Sequence, residues 1–227
     1  TAIAYATLLK PLGWKPTICL PSNASAERKN ILKSLGAELI LTSPLEGTDG
    51  AQIVAKETYA ANPDKYFYAD QYSNDANWQA HYLTTAEEIW TQTKGKITHF
   101  VAGLGTTGTF VGTARRLKEL GNVQLISLQP DHPFHPLEGW KHLATAHRPG
   151  IYDDTLADKT LVIDSSGVFD MIKSISIHER LFISPSGAAN LLGALEVASQ
   201  IKEGDIVTTL ADTLDRYQEV RKEIFGT

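Results

Sequence analysis

The sequence is poor in cysteine: Cys19 is the only one in 227 residues. That excludes a disulfide framework and a cysteine-built zinc cluster, and a reducing, cytoplasmic compartment is expected. Cys19 sits in the apolar run 17–20 and reads as a buried small hydrophobe rather than a reactive thiol. Long apolar runs are missing as well. No stretch approaches the roughly 18 residues of a membrane span, so no membrane association is expected. Positive charge is not in excess: 21 Lys and Arg face 26 Asp and Glu, a net charge of −5, with no block of like charge. A nucleic-acid partner would need a basic patch, and none is expected. Internal repeats and low-complexity segments are also missing. The N-terminus has no Met, no basic flank and no cleavage-site pattern, so it does not read as a signal peptide. It opens inside an apolar pattern, as a helix whose preceding residues are missing.

What is present suits a globular α/β protein. Hydrophobic residues make up 42% and charged residues 21%, enough for one large domain or two small ones with real cores. Apolar segments alternate with amphipathic ones. Strands are expected at 17–20, 37–42, 97–102, 123–128, 161–163 and 206–210, with a short extended piece at 66–68. Helices are expected at 2–12 (ended or kinked by Pro11), from the Ser25 cap to Gly36, and at 50–61, 76–93, 109–120, 169–180, 188–201 and 214–225. In the second of these, Ile31, Leu32 and Leu35 face inward. Residues 130–160 read as a long irregular loop. Such alternation predicts a parallel sheet with helices on both faces. A domain break is expected near 62–70.

The run Gly105, Thr106, Thr107, Gly108, Thr109 lies between an expected strand and an expected helix. A helix N-terminus offers free N–H groups and a positive dipole end, and glycines let backbone approach an anion closely. The run is therefore expected to cradle a phosphate group. No Lys follows it, so it is not a Walker loop. Gly103, Gly105 and Gly108 fit G-x-G-x-x-G, but strand 123–128 runs into Gln129 instead of the acid that a dinucleotide site uses.

Several further motifs stand in order along the chain. They are Ser25-Ala26-Glu27-Arg28 with Gly36-Ala37-Glu38-Leu39; Asp70-Gln71-Tyr72-Ser73-Asn74; and His81 with Thr84-Thr85 and Glu88-Ile89-Trp90. Leu128-Gln129-Pro130, Ser186-Gly187-Ala188-Ala189 and Asp212 with Asp215-Arg216-Tyr217 follow. With the 105–109 loop they resemble the cysteine synthase (O-acetylserine sulfhydrylase) family, nearest its B-type members, from residue 1 to about 218.

That resemblance implies a fold of two three-layer α/β/α domains around mostly parallel sheets, the tryptophan synthase β-like fold type II of pyridoxal-phosphate (PLP) enzymes, N-terminally incomplete. Residues 1–66 would be part of a smaller, mobile domain and 67–227 the larger, phosphate-binding one. It implies PLP as cofactor, bound by Gly105, Thr106, Thr107, Gly108, Thr109, Ser186 and Asp212, with Ser186 meeting the pyridine nitrogen. Gln71 and Thr1 would bind the substrate, Gln71 at its carboxylate. The implied reaction joins O-acetylserine and sulfide, or thiosulfate, into L-cysteine or S-sulfocysteine. Related implied activities are O-phosphoserine sulfhydrylase and cystathionine β-synthase. The implied partners are a small amino-acid substrate, a sulfur donor and a second copy in a homodimer. A neutral hydroxyl opposite the ring nitrogen suits β-elimination rather than transamination.

Departures stand beside the matches. Thr1 aligns with the Thr of a T-S-G-N-T-G loop, and the family's Schiff-base lysine lies upstream of that loop, so no lysine here is assigned catalysis. Lys10, Lys15, Lys29 and Lys33 read as surface charges. Ala2 replaces a Gly, Ser184-Pro185 replaces Gly-Ile or Gly-Val, and Arg180 replaces a Gly. A non-enzymatic homologue that binds a phosphate-bearing ligand or a partner protein is the alternative these departures motivate. His132, His135, His142 and His147 fit no zinc spacing and read as loop residues. Asp153 and Asp154 read as ordinary loop acids. The tryptophans, 14, 78, 90 and 140, read as core or interface residues.

Overall fold

The computed structural model describes residues 1–226, and the chain divides into two units, 1–69 and Asp70 onward. In the first unit α1 (Ala2–Leu9) passes into a 3-10 turn at Lys10–Leu12, where Pro11 cannot continue the helix. β1 (Thr17–Pro21) and β2 (Glu38–Thr42) pair in parallel, Thr17 opposite Glu38. Between them runs α2 (Ala26–Ser34), capped by the Ser25 hydroxyl, which accepts from the Arg28 N–H at 3.2 Å. Leu32 is buried against Ala6, Leu20 and Ala37, while Ile31 and Leu35 are half-buried. α3 (Gly47–Ala61) packs on both strands. Residues 66–68 form no strand; the Tyr68 ring stacks on Tyr59 with centres 5.9 Å apart.

In the second unit β3 (Ile97–Gly103), β4 (Gln124–Pro130), β5 (Lys159–Ile163) and β6 (Asp205–Thr208) form one parallel sheet in the order β5-β4-β3-β6. Side chains alternate between its faces. Val101, Ile126, Leu128, Leu161 and Ile163 join one core, under α7 (Val168–His178), α8 (Pro185–Gln200) and α9 (Gln218–Phe225). Phe100, Ala102 and Leu125 join the other, under α5 (Thr85–Gln92) and α6 (Gly108–Leu120). Ile97 shares the face of Phe100 because the register with β6 shifts between Ile97 and His99. The unit is thus a three-layer α/β/α sandwich. Each fully buried large side chain, such as Phe100 or Phe110, contributes about 1.5–3 kcal/mol.

The helix expected over 76–93 is broken. α4 (Asp75–Leu83) ends at Thr84, whose backbone (φ −123°, ψ −69°) leaves the helical region before α5 begins. The Thr84 hydroxyl donates to the Ala80 carbonyl at 2.7 Å, the back-bonding that bends helices. α8 begins at Pro185, three residues ahead of its expected start, because Pro suits the first helical position and Ser184 caps it.

The chain order places the site. β3, β4 and β5 advance in one direction, and β6 returns to the other side of β3. In such sheets the crevice for a ligand opens at the carboxyl ends of the two strands flanking the reversal. Here those strands are β3 and β6, and the 105–109 loop leaves the first of them.

Candidate functional site

Leu104 to Thr107 connect β3 to α6 in four residues. Thr107 takes a left-handed conformation at the helix N-cap (φ +72°, ψ −9°), unusual and strained for a β-branched residue. It is 2% exposed, and its hydroxyl is buried without a hydrogen-bond partner. A buried orphan hydroxyl at a helix N-terminus is a ready donor to an anion, since the first N–H groups of the helix have no carbonyl of their own. The glycines make the cradle tight. A Cβ at Gly105 would overlap the Gly139 carbonyl oxygen, and one at Gly108 would overlap the Asn77 side-chain amide.

The other hydroxyls are held in place. Thr106 Oγ1 accepts from Asn77 Nδ2 at 3.0 Å, and Asn77 Nδ2 also donates to the Gln71 carbonyl at 2.6 Å. Thr109 Oγ1 lies 3.2 Å from His81 Nε2, and His81 Nδ1 lies 2.9 Å from Thr85 Oγ1. Burial pushes the His81 imidazole below its ordinary value, so it is neutral at pH 7.

Across the reversal, the Ser184 hydroxyl accepts from the Gly187 N–H at 3.2 Å and lies 3.2 Å from Ser186 Oγ. Ser186 is half-buried in the first turn of α8. The Asp212 carbonyl accepts from the Ser184 N–H at 3.4 Å, and its carboxylate accepts from the Tyr217 hydroxyl at 2.8 Å. Ser186 and Asp212 are therefore joined through Ser184, the residue that departs from the family pattern. Asn190 bridges the end of β3 and the residue that follows β6. Its Oδ1 accepts from the Gly103 N–H at 2.8 Å, and its Nδ2 donates to the Thr209 carbonyl at 2.8 Å and hydroxyl at 3.1 Å.

The structure thus brings together Gln71, Thr106 and Thr109 through α4, and Ser186 and Asp212 through the cap of α8. Thr1 belongs to the other unit, exposed at the N-cap of α1, and its carbonyl accepts from the Tyr5 N–H at 3.0 Å. Sequence reasoning missed Asn77, Asn190 and Lys141. The first two are poor helix formers inside helices, a signal of side-chain bonding that was there to be read. Lys141 is 4% exposed; its N–H donates to the Leu104 carbonyl at 2.8 Å, and its ammonium lies 5.1 Å from the centre of the Tyr72 ring. Its site has no such sequence signature. In the irregular stretch, His132 and His135 each use Nδ1 to accept a backbone N–H two residues on, and His142 Nδ1 pairs with Thr145. Among the described residues no cluster of His, Cys, Asp or Glu has the arrangement to hold a metal, and no helix is long and apolar enough to cross a membrane.

Comparison with known proteins gives this geometry its setting. Residues 1–212 match the family described as pyridoxal-phosphate dependent enzyme. The chain is 43% identical to a cysteine synthase of Aquifex aeolicus over 222 residues, covering 96% of this chain and 68% of that protein. It is 35% identical to cysteine synthase B of Escherichia coli, covering 96% and 71%. Among solved structures, an O-acetylserine dependent cystathionine beta-synthase from Helicobacter pylori superposes with a TM-score of 0.89 at 30% identity, covering 96% of this chain and 74% of that one. The chain belongs to the pyridoxal-phosphate dependent enzymes, within their cysteine synthase family, with the tryptophan synthase β-like fold and PLP as its cofactor.

Proposed function

We propose that the enzyme makes L-cysteine, or S-sulfocysteine, by β-replacement: acetate leaves Cβ of O-acetylserine and sulfide, or thiosulfate, takes its place. The observation that carries this reading is the buried orphan hydroxyl of Thr107 at the N-cap of α6, on the loop that leaves β3 at the sheet reversal. Bound PLP supplies an electron sink for loss of the α-proton and the β-substituent. The chain's own residues bind and orient. Gly105, Thr106, Thr107, Gly108 and Thr109 hold the phosphate through helix N–H groups and hydroxyls. Ser186 offers a neutral hydroxyl to the pyridine nitrogen and leaves it unprotonated, while Ser184 and Asp212 fix the turn that carries it. Gln71 takes the substrate carboxylate by hydrogen bonds without adding charge. The unit from Asp70 onward is accordingly the phosphate-binding one. No lysine of the 227 residues is given a part in proton transfer. The family resemblance also carries a homodimer and a cytoplasmic location, which the single half-buried cysteine suits.

The test is spectroscopic. PLP-loaded protein mixed with O-acetylserine is expected to change its cofactor absorbance, and sulfide or thiosulfate to restore it with release of L-cysteine or S-sulfocysteine respectively. No amino-acid-dependent change would refute the reading. The similarity to a cystathionine beta-synthase favours a second reading, in which a larger thiol replaces sulfide. Steady-state rates across leaving groups, O-phosphoserine included, and across thiols separate the two.

A further inference from the structure

Asn77, the third residue of α4, touches both Gln71 and the 105–109 loop. The Gln71 carbonyl can only accept, so the amide nitrogen must face it, and this fixes which way the side chain points. The same nitrogen reaches Thr106 Oγ1 at 3.0 Å, which also receives the Gly108 N–H at 3.4 Å. With both lone pairs of that oxygen engaged, the Thr106 hydroxyl proton is left to be donated elsewhere. The Asn77 amide also fills the space beside Gly108 that a Cβ would need.

We propose that Asn77 is a positioning residue linking cofactor anchorage to substrate recognition. It makes the Thr106 hydroxyl a dedicated donor to the PLP phosphate. Through the Gln71 carbonyl it also sets the backbone from which Gln71 reaches the substrate carboxylate. The proposal rests on the phosphate and carboxylate assignments made above. An Asp at this position would reverse the polarity: a carboxylate repels the Gln71 carbonyl and captures the Thr106 proton.

The experiment titrates the full-length protein, stripped of cofactor, with PLP and with pyridoxal, which lacks the phosphate, by quenching of tryptophan fluorescence. Asn77→Asp and Thr106→Val are each expected to weaken PLP about tenfold, the worth of one hydrogen bond to a charged group, and to leave pyridoxal unchanged. Asn77→Ala added to Thr106→Val is expected to cost PLP nothing further. In the PLP-loaded enzyme, the O-acetylserine concentration giving half the spectral change is expected to rise about tenfold in Asn77→Ala and to stay level in Thr106→Val. Equal losses of PLP and pyridoxal in these variants, or additive losses in the double variant, overturn the role of Asn77. So does an unchanged O-acetylserine midpoint in Asn77→Ala. Wild-type protein that binds PLP no more tightly than pyridoxal overturns the phosphate assignment itself. If Asn77→Asp does not fold, Thr106→Val and the double variant still decide.

Discussion

Replacing Gly105 by alanine tests the close backbone approach at the centre of the site. The Gly139 carbonyl carbon lies 3.2 Å from where the new Cβ would stand, and its oxygen lies closer still. Backbone cannot rotate away as a side-chain tip can, so the 139–140 segment must move. Overpacking of this kind costs about 1–3 kcal/mol. Moving the segment also strains the 2.8 Å bond from the Lys141 N–H to the Leu104 carbonyl, worth about 1 kcal/mol more. Together they come to about 2–4 kcal/mol, which lowers the melting temperature of a unit this size by roughly 5–15 °C. The assay is thermal unfolding followed by far-ultraviolet circular dichroism without cofactor, so that lost binding does not masquerade as lost stability. Gly167→Ala is the control. Its φ is −79°, and the nearest atom to its new Cβ is Leu192 Cδ1 at 4.0 Å, so its melting temperature should hold or rise slightly. A Gly105→Ala protein that melts within roughly 2 °C of this control would refute the reasoning.

Three further outcomes are expected. Asn190→Ala removes partners from the Gly103 N–H and the Thr209 carbonyl and should destabilise the protein by about 2–4 kcal/mol in urea unfolding, against under about 1 kcal/mol for the exposed Ser199→Ala. The His81 imidazole is held below its ordinary value, so the unfolded chain binds the extra proton first. Stability is then full above about pH 6.5 and falls as pH drops below it, and His81→Gln should flatten this part of the profile. Burial raises the Cys19 thiol above its ordinary value, so alkylation by iodoacetamide between about pH 7 and 9 should run slower than for a free thiol of ordinary pKa.

Much of the fold was legible because period and punctuation agree along the chain. Ser25 and Gly36 bracket α2, and the apolar run from Ile97 gives β3. Helix continuity across Thr84 was not legible, because the periodic positions of Trp78, Tyr82, Ile89 and Trp90 run through the break. The break shows in the backbone of Thr84, and a back-bonded threonine does not announce it, since Thr58 makes the same bond inside the unbroken α3. The start of α8 is hidden for a related reason: in the sequence Ser184-Pro185 reads as a departure from a motif, whereas physically it is a cap followed by the residue that best begins a helix. The site was legible where one loop carries it, as at residues 105–109. It was illegible where contacts join distant segments. The Asn190 contacts span 87 residues to Gly103, and no local pattern announces a pairing that only the strand order creates.

That pairing has a consequence for the spacing of the strand ends. The ladder between β3 and β6 is last registered at Val101 and Thr208, and beyond it the Asn190 amide stands where another peptide unit would be. One side chain on a helix therefore sets the distance between the two strand ends. A longer amide there would prise the strand ends apart, and a shorter hydroxyl would let them draw together. Either change would shift the ends of both strands from a helix that belongs to neither, so the spacing of the sheet at this point is set from outside the sheet.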